Sequence, residues 1–423
     1  MFFKNLICYS LFTSTALYAE TFPSALDKEL RSKLEFFRVI PIEPIAPIAN
    51  RALVELGKKL FIDPNLSGNK NISCMTCHNP MKGLSDGLPL SRTEDGQGIL
   101  ARNSQALFNL GAPTKTFMFW DGRVQLDNQK KIFTTPEESL NGENPKAKEI
   151  ASAMSSSLAA QALFPMVSTK EMKGQIGQNE IADSKNNLEA WDKILARLKQ
   201  DPKFFKAAYP NIFIDKINIG HVAEAIAAFE RETFQSTDSP FYRYLRGDNS
   251  AMTEKQKRGL AVFMGNGKCI ACHQGGELGN NSFFASVGVP FWGEAPVLPD
   301  EGRGAVSKET FRKYFFRTPS LLNVGLTAPY MHNGAFRTLR EVINHYNDIR
   351  SSMNNYVIPA EREATMPVKV DVERRSVYLI ELMNSIQAGF LRNGLNLMDS
   401  EKDDLEIFLK EALTDSLWEV PSH

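Results

Sequence analysis

The chain of 423 residues has few cysteines and histidines, no excess of either charge and no long apolar run. Its 49 basic and 49 acidic residues give a formal net charge of zero, so the composition offers no electrostatic basis for binding nucleic acid or an anionic membrane. The 43% apolar and 23% charged residues exclude a mainly disordered chain and predict a folded protein of about two to three domains. The five cysteines and six histidines are therefore the residues whose positions carry most information.

Residues 1–19 have the features of a secretory signal peptide. Lys4 is followed by an apolar run from Leu6 to Leu17, and the small residue Ala19 precedes Glu20. The run is too short to span a bilayer comfortably, so we expect no integral membrane segment after cleavage. A retained N-terminal anchor helix is the alternative. The signal predicts export to the periplasm, a compartment in which paired cysteines normally form disulfides.

The spacing of the four cysteines outside this segment argues against disulfides. They occur in two copies of the pattern C-x-x-C-H, formed by Cys74, Cys77 and His78 and by Cys269, Cys272 and His273. On a helical turn, residues i, i+3 and i+4 share one face, so two thiols can form thioethers with a haem while the adjacent imidazole binds its iron. The pattern is typical of c-type haem attachment, whereas a zinc or redox C-x-x-C site does not require the histidine. The sequence predicts two covalently bound haem c groups with His78 and His273 as iron ligands.

Each motif follows a helical pattern, which suggests an internal duplication. Helices are predicted over residues 50–61 and 253–263, and Thr253 with Gln256 forms a capping-box pattern at the start of the second. Helical patterns also cover residues 188–198, 221–234 and 338–348, while strand-like alternation is scarce. We therefore expect an all-α protein made of two cytochrome c-like haem domains. Its predicted divisions are residues 1–19 as signal peptide, 20–48 as an extended N-terminal lead-in, 49–238 as the first haem domain and 239–423 as the second.

The ligands on the other side of each iron decide what a haem protein does. No histidine lies between His78 and His221, and Met81 and Met118 are better explained as packing residues. An open first iron, able to bind a small oxidant such as peroxide, is therefore favoured. Such a site needs a proton donor and acceptor, and Glu137 and Glu138 are candidates, although adjacent acids after a proline also mark a helix start.

For the second haem, His345 and Tyr346 are adjacent candidates. In the predicted helix, Tyr346 shares the apolar face with Leu339 and Ile343, whereas His345 lies about 100° around the axis. A helix that packs this face on the haem presents Tyr346, which as a hard, anionic ligand favours the higher oxidation states of iron. The alternative is that Tyr346 is a core aromatic residue and His345 or a distant methionine binds the iron.

The two motifs and their flanking segments resemble the bacterial dihaem cytochrome c peroxidase and MauG family. The resemblance extends from about residue 52 to residue 346 and includes Phe-Trp-Asp-Gly-Arg at 119–123, Arg-Thr-Pro-Ser at 317–320 and Thr-Ala-Pro-Tyr-Met-His-Asn-Gly at 327–334. It implies a periplasmic protein with one haem per domain, in which the N-terminal haem reacts with hydrogen peroxide and the C-terminal haem passes or stores electrons.

The resemblance also implies roles for individual residues. Trp120 matches the tryptophan that relays charge between the haems. Asn103, Thr327 and Pro329, the last two through backbone carbonyls, match an interdomain calcium site, whose oxygen ligands suit that ion. Gln129 and Glu138 resemble the distal glutamine and the acid–base glutamate, but this match needs a one-residue deletion, so Glu137 remains a rival.

Two departures from the ordinary peroxidases of this family favour its MauG-like branch. Residues 83–101 contain no histidine to cap the first haem, and the residue fourteen positions after His332 is Tyr346 rather than methionine. The leading function is a hydrogen-peroxide-dependent oxidoreductase supplied with electrons by a small cytochrome c or cupredoxin. The alternatives are MauG-type oxidation of Trp or Tyr residues on a partner protein, and a dihaem electron carrier without catalytic activity.

Overall fold

The computed structural model describes residues 23–419, which form a mainly helical protein with three small antiparallel sheets. The signal-peptide prediction for residues 1–19 lies outside the described residues. None of the helices within residues 23–419 is both long and apolar enough to cross a bilayer.

Residues 23–245 contain nine α-helices and one sheet. The helices are α1 Ala25–Phe36, α2 Arg51–Phe61, α3 Cys74–Cys77, α4 Lys148–Ser152, α5 Ser157–Ala162, α6 Asn187–Leu198, α7 Lys203–Ala208, α8 Ile219–Thr233 and α9 Pro240–Leu245. The strands are β1 Phe117–Met118, β2 Val124–Asp127 and β3 Ile132–Thr134, in the order β1-β2-β3 with Leu126 opposite Phe133.

The C-terminal half contains eight further helices and two strand pairs within the described residues. The helices are α10 Glu254–Met264, α11 Arg303–Ser307, α12 Leu339–Asn347, α13 Ile349–Asn355, α14 Ala360–Glu363, α15 Ser376–Ser385, α16 Gly389–Arg392 and α17 Asp399–Ile407. Strand β4 Asn280–Ala285 pairs with β6 Phe316–Thr318, and β5 Trp292–Glu294 pairs with β7 Val370–Val372.

Local sequence signals explain where several helices begin. Asn50 caps α2 through its side chain, Thr253 and Gln256 form the expected capping box of α10, and Thr338 caps α12. The helix bounds in the structure confirm the five predicted helices to within about two residues. These predictions covered residues 50–61, 253–263, 188–198, 221–234 and 338–348. The predicted all-α class is too narrow, however, because seven short strands are present.

The two modules repeat one helix crossing. Helix α2 crosses α8 at Gly57, where an added Cβ would lie 1.8 Å from the carbonyl oxygen of Ala225. Helix α10 crosses α17 at Gly259, where an added Cβ would lie 2.1 Å from the carbonyl oxygen of Asp404. Four residues after each glycine, Phe61 and Phe263 pack within 5.6 Å of a phenylalanine on or just beyond the crossing helix. This shared packing supports the duplication suggested by the sequence.

Four apolar clusters form the core of the described residues, and the two largest lie in different parts of the chain. One cluster is drawn from residues 54–234, and a second from residues 30–39, 241–278, 322–343 and 397–413. The predicted domain division after residue 238 stays a prediction and falls between the two clusters. The prediction that residues 20–48 are extended is wrong for the part that forms α1. This helix is capped and buries Leu30 and Leu34 in the second cluster. A period of apolar residues and the cap at Ser24 are the signals for this helix.

Candidate haem sites and the cavity between the two halves

Both C-x-x-C-H motifs hold the histidine ring in the same way. The Nδ1 atom of His78 lies 3.1 Å from the carbonyl oxygen of Leu84, and that of His273 lies 3.0 Å from the carbonyl oxygen of Leu278. A carbonyl only accepts, so each Nδ1 is the protonated nitrogen and donates. Each Nε2 therefore keeps its lone pair for a metal, the arrangement in which histidine binds haem iron.

Burial keeps these imidazoles neutral. It lowers the pKa of His78 below its ordinary value and that of His273 to about 4. None of the four cysteines of the two motifs forms a disulfide, so all four are available for thioether bonds, and burial raises the pKa of Cys74 and Cys269 to about 12. Within residues 23–419, no group of three or more His, Cys, Asp or Glu side chains is placed to hold a metal ion. The residues therefore fit haem attachment better than a zinc site.

A large, mainly apolar cavity lies between the two halves and contains the second motif. Cys269, Cys272 and His273 line it, together with Tyr346 from α12 and Trp120 from the segment between β1 and β2. The C-terminal haem attachment site, the candidate axial tyrosine and the candidate relay tryptophan thus meet in one space.

Helix α12 treats its two candidate ligands differently. Both ring nitrogens of the buried His345 are engaged: Nε2 lies 2.8 Å from the carbonyl oxygen of Val287, and Nδ1 lies 2.9 Å from the hydroxyl of Ser352. The hydroxyl of Tyr346 has no hydrogen-bond partner among the described residues, and its ring lines the cavity beside the second motif. Burial raises the pKa of Tyr346 above its ordinary range, with both cysteines of that motif contributing.

Trp120 is fixed at the boundary between the halves. Its indole Nε1 donates to the carbonyl oxygen of Asn103 at 3.0 Å, and its own carbonyl accepts from the backbone of Arg317 at 2.8 Å. Asn103 continues this connection, because its backbone N–H donates to the carbonyl of His332 at 2.7 Å. The next residue, Ser104, donates its hydroxyl to the carbonyl of Cys77 at 2.7 Å. Residues 103–104 thus link the first motif to the wall of the cavity.

The three candidate calcium ligands line the same cavity. Asn103 Nδ2 donates to the carbonyl oxygen of Leu88 at 2.7 Å, and no hydrogen bond within residues 23–419 uses its Oδ1. Thr327 and Pro329 also line the cavity, and the prediction assigns their backbone carbonyls to the ion. An amide oxygen and carbonyl oxygens suit a hard cation, so the residues fit the predicted ion.

The acid–base candidates lie around the hairpin of the first sheet. Gln129 is exposed in the turn between β2 and β3, and its backbone N–H donates to Asp127. Glu137 is occupied as a cap: one carboxylate oxygen accepts from Ser139, and the other accepts from Asn187 at 3.0 Å. Glu138 is exposed. Gln129 lies in the turn at one end of the hairpin, whereas Glu137 and Glu138 follow β3 at the other end, and their spacing in the sequence did not predict this separation. The roles of all three residues stay predictions.

The cavity also contains buried cations that the sequence did not single out. Arg317 is 2% exposed, and its Nη2 has no hydrogen-bond partner among the described residues. Lys115 is buried and forms an ion pair with Glu277 from the other half. Burial lowers the pKa of Arg317 to about 10, so its guanidinium remains charged at neutral pH. Arg317 is the first residue of the Arg-Thr-Pro-Ser segment noted in the sequence. Only the structure shows that it is a buried charge at the cavity wall.

These features are those of a c-type protein with two candidate haem attachment sites, and comparison with known proteins places it in a family. Residues 51–250 match the model of the di-haem cytochrome c peroxidase family. The chain is 34% identical over 293 residues to the cytochrome c551 peroxidase of Pseudomonas aeruginosa, a match that covers 68% of this chain and 70% of that protein. It is 33% identical over 297 residues to the methylamine utilization protein MauG of Methylorubrum extorquens, covering 69% and 68% of the two chains.

A solved structure agrees with these matches. A MauG-like protein associated with microbial copper homeostasis superimposes with a TM-score of 0.61 at 26% identity, covering 90% of this chain and 95% of that one. The chain belongs to the dihaem cytochrome c peroxidase and MauG family. It is therefore a peroxidase-type oxidoreductase with two haem cofactors, and the alternative of an electron carrier without catalytic activity is not supported.

Proposed function

We propose that this protein is an exported, periplasmic enzyme that reduces hydrogen peroxide at its N-terminal haem with electrons relayed through its C-terminal haem. His78 and His273 would bind the two irons, and Tyr346 would be the second protein ligand of the C-terminal haem iron. The observation that carries the MauG-like assignment is the difference between the two adjacent candidates on α12. His345 uses both ring nitrogens in hydrogen bonds to the protein, which leaves it no lone pair to offer a metal, whereas the Tyr346 hydroxyl is unpartnered in the cavity.

The N-terminal site is open at rest. The segment that lacks a histidine, residues 83–101, packs on the C-terminal half: Leu90 and Ile99 are buried in one cluster with Trp292 and Phe336. A segment held by this packing is poorly suited to the swing that would cap and uncap an iron. We therefore expect activity without reductive activation.

Bound haem supplies an iron that binds peroxide and exchanges single electrons. The protein residues move the protons. Glu138 is the better candidate for holding and returning a proton, because both carboxylate oxygens of Glu137 already accept hydrogen bonds. Arg317, whose Nη2 has no hydrogen-bond partner among the described residues, would offer its positive charge to the carboxylate groups of a haem in the cavity.

Trp120 relays charge between the two sites and keeps its orientation through the Asn103 carbonyl. Asn103, Thr327 and Pro329, which all line the cavity, would hold a calcium ion beside that tryptophan. The electron donor is a small cytochrome c or cupredoxin.

A second candidate function is peroxide-driven oxidation of Trp or Tyr residues on a partner protein. The unpartnered Tyr346 favours it, because an anionic ligand stabilises an oxidised iron long enough for slow electron transfer from a protein. The similarity to MauG supports the same reading.

The decisive experiment mixes the fully oxidised protein with one equivalent of hydrogen peroxide and follows the haem absorption by stopped flow. We expect a rapid change without prior reduction, and a reaction that begins only after one haem is reduced would contradict the open site. Electron paramagnetic resonance provides an independent check: a resting protein with only six-coordinate, low-spin haems bound by nitrogen or sulfur would be incompatible with the proposal. Turnover with a reduced cytochrome then separates the leading function from protein modification.

A further inference from the structure

One tyrosine connects the cavity to the protein surface through a carboxylate. Tyr314 lines the cavity, is 4% exposed and belongs to the apolar cluster that Tyr346 also contacts. Its ring packs 5.1 Å from that of Phe291, which lines the cavity as well. The aromatic ring of Tyr314 therefore lies within the same packed group as the candidate axial ligand.

The hydroxyl of Tyr314 faces a base on α15. It donates to Oε2 of Glu381 at 2.6 Å, a distance typical of a strong hydrogen bond to a charged oxygen. Glu381 is exposed to solvent, so a proton that reaches it can exchange with water. A neutral phenol gives up an electron easily only if its proton leaves at the same time, and this geometry supplies the acceptor.

Other tyrosines of the cavity lack this feature. Of the three that line it within residues 23–419, Tyr330 donates to the backbone carbonyl of Val324, which cannot take a proton, and Tyr346 has no partner. Tyr314 alone donates to a carboxylate.

The backbone at Tyr314 is unusual. Its φ of 66° lies in the left-handed region, which is rare for a bulky aromatic residue and costs free energy. The residue is held there by the hydrogen bond from its N–H to the carbonyl of Glu301 at 2.9 Å. A strained residue that joins a cofactor cavity to a solvent-exposed base is a candidate for function rather than for packing alone.

We propose that Tyr314 is a redox-active residue that carries single electrons from a reductant at the protein surface to the cavity, with Glu381 taking its phenolic proton. The inference rests on the proposed function, because hydrogen peroxide supplies the oxidising power: H₂O₂ + 2 H⁺ + 2 e⁻ → 2 H₂O. In each step Tyr314 loses one electron to the oxidised centre, its O–H bond breaks, and an O–H bond forms on Glu381. A one-electron donor at the surface then reduces the tyrosyl radical, and the proton returns from Glu381.

The test is freeze-quench electron paramagnetic resonance of the holoprotein after one equivalent of peroxide. In the wild type we expect a radical signal that narrows when the protein carries ring-deuterated tyrosine. Tyr314→Phe is expected to lose this signal, and Glu381→Gln to slow its formation on the order of a hundredfold, because glutamine cannot accept the proton. The matched control is Tyr330→Phe, which removes a cavity hydroxyl without a carboxylate partner and is expected to keep the signal.

The outcomes separate this inference from the function on which it rests. If the wild type consumes peroxide but gives no tyrosyl radical, or if Tyr314→Phe keeps the radical, Tyr314 is a packing residue and the proposed function stands. If the wild type fails to react with peroxide, both proposals fall. Unchanged haem absorption in the two variants at Tyr314 and Glu381 establishes that they fold and carry haem. Because Glu381 is exposed, its variant tests the proton acceptor even if the buried substitution disturbs packing.

Discussion

The choice between two adjacent side chains on α12 sets the properties of the C-terminal haem. Replacing Tyr346 with methionine exchanges a hard, anionic ligand for a neutral thioether, which favours the reduced iron. We expect the reduction potential of that haem to rise by on the order of a hundred millivolts, within the ~0.8 V range set by axial ligands. Spectroelectrochemical titration of the holoprotein measures the change.

The control for this substitution is His345→Asn. It breaks buried hydrogen bonds to Val287 and Ser352 and is expected to cost about 1–3 kcal/mol of unfolding free energy without moving the potential. A shift in potential on changing His345, with none on changing Tyr346, would reverse the assignment.

The carboxyl group of Asp300 makes the free energy of unfolding depend on pH in the acid range. Burial alone would raise the pKa of this carboxyl, but the paired Arg102 outweighs it, and the pKa falls to about 2. Since the folded pKa lies below the unfolded value of about 3.9, the stabilisation is complete only above about pH 5 and is lost progressively as the pH falls through about 2. Asp300→Asn should remove about 2 kcal/mol at neutral pH and flatten stability between pH 4 and 2.

Thermal unfolding at a series of pH values tests this expectation. Asp399→Asn, at a side chain 93% exposed, is the matched control and should leave the acid dependence unchanged. If the unfolding temperature falls equally steeply with decreasing pH in Asp300→Asn and in the wild type, the ion pair with Arg102 does not control the acid dependence.

At the scale of elements, both modules depend on a glycine at a helix crossing. Gly259→Ala places a methyl group against the backbone carbonyl of Asp404, which cannot move aside without separating α10 from α17. We expect a loss of about 1–3 kcal/mol in unfolding free energy, as for other overpacked contacts, measured by denaturant titration. Gly389→Ala in α16 is the control, because nothing lies within 4 Å of its added Cβ; equal losses in the two variants would refute the argument.

At the scale of the whole molecule, each end of the described chain packs on the opposite half. Helix α1 lies on the C-terminal cluster, where Asp27 pairs with Lys257 at 2.9 Å. Trp418 lies on the N-terminal cluster: its ring packs 5.0 Å from Phe108, and its indole donates to the carbonyl of Gln235 at 2.8 Å. The two halves are thus tied together at both ends of the described chain.

Removing one of these ties should uncouple the halves. We expect Trp418→Ala to lower stability by about 3 kcal/mol and to broaden or split the calorimetric unfolding transition. Leu417→Ala, at a side chain 77% exposed, should leave the transition unchanged. A single sharp transition at lower temperature in Trp418→Ala would mean that the halves stay coupled without it.

Much of the site could be predicted from sequence, because covalent chemistry imposes fixed spacing. Two thiols and an imidazole must lie on one turn, so the haem sites are readable in any chain that contains them, and the caps of α2, α10 and α12 are equally local. Gln129 is a residue whose position could not be predicted from local spacing. The family resemblance suggested a place for Gln129 in the peroxide pocket, and only the structure shows that the β2–β3 hairpin puts it in an exposed turn.

The sequence by itself determined the cofactor class, the helices before each motif, and the absence of histidine between the first haem ligand and residue 221, because these follow from residue identity and local geometry. Only the tertiary structure decided which of His345 and Tyr346 is free, that Nη2 of Arg317 is buried without a hydrogen-bond partner, and that Tyr314 meets Glu381. The reason is physical: a side chain's availability depends on which distant groups satisfy or oppose it, and those contacts exist only after the chain has folded.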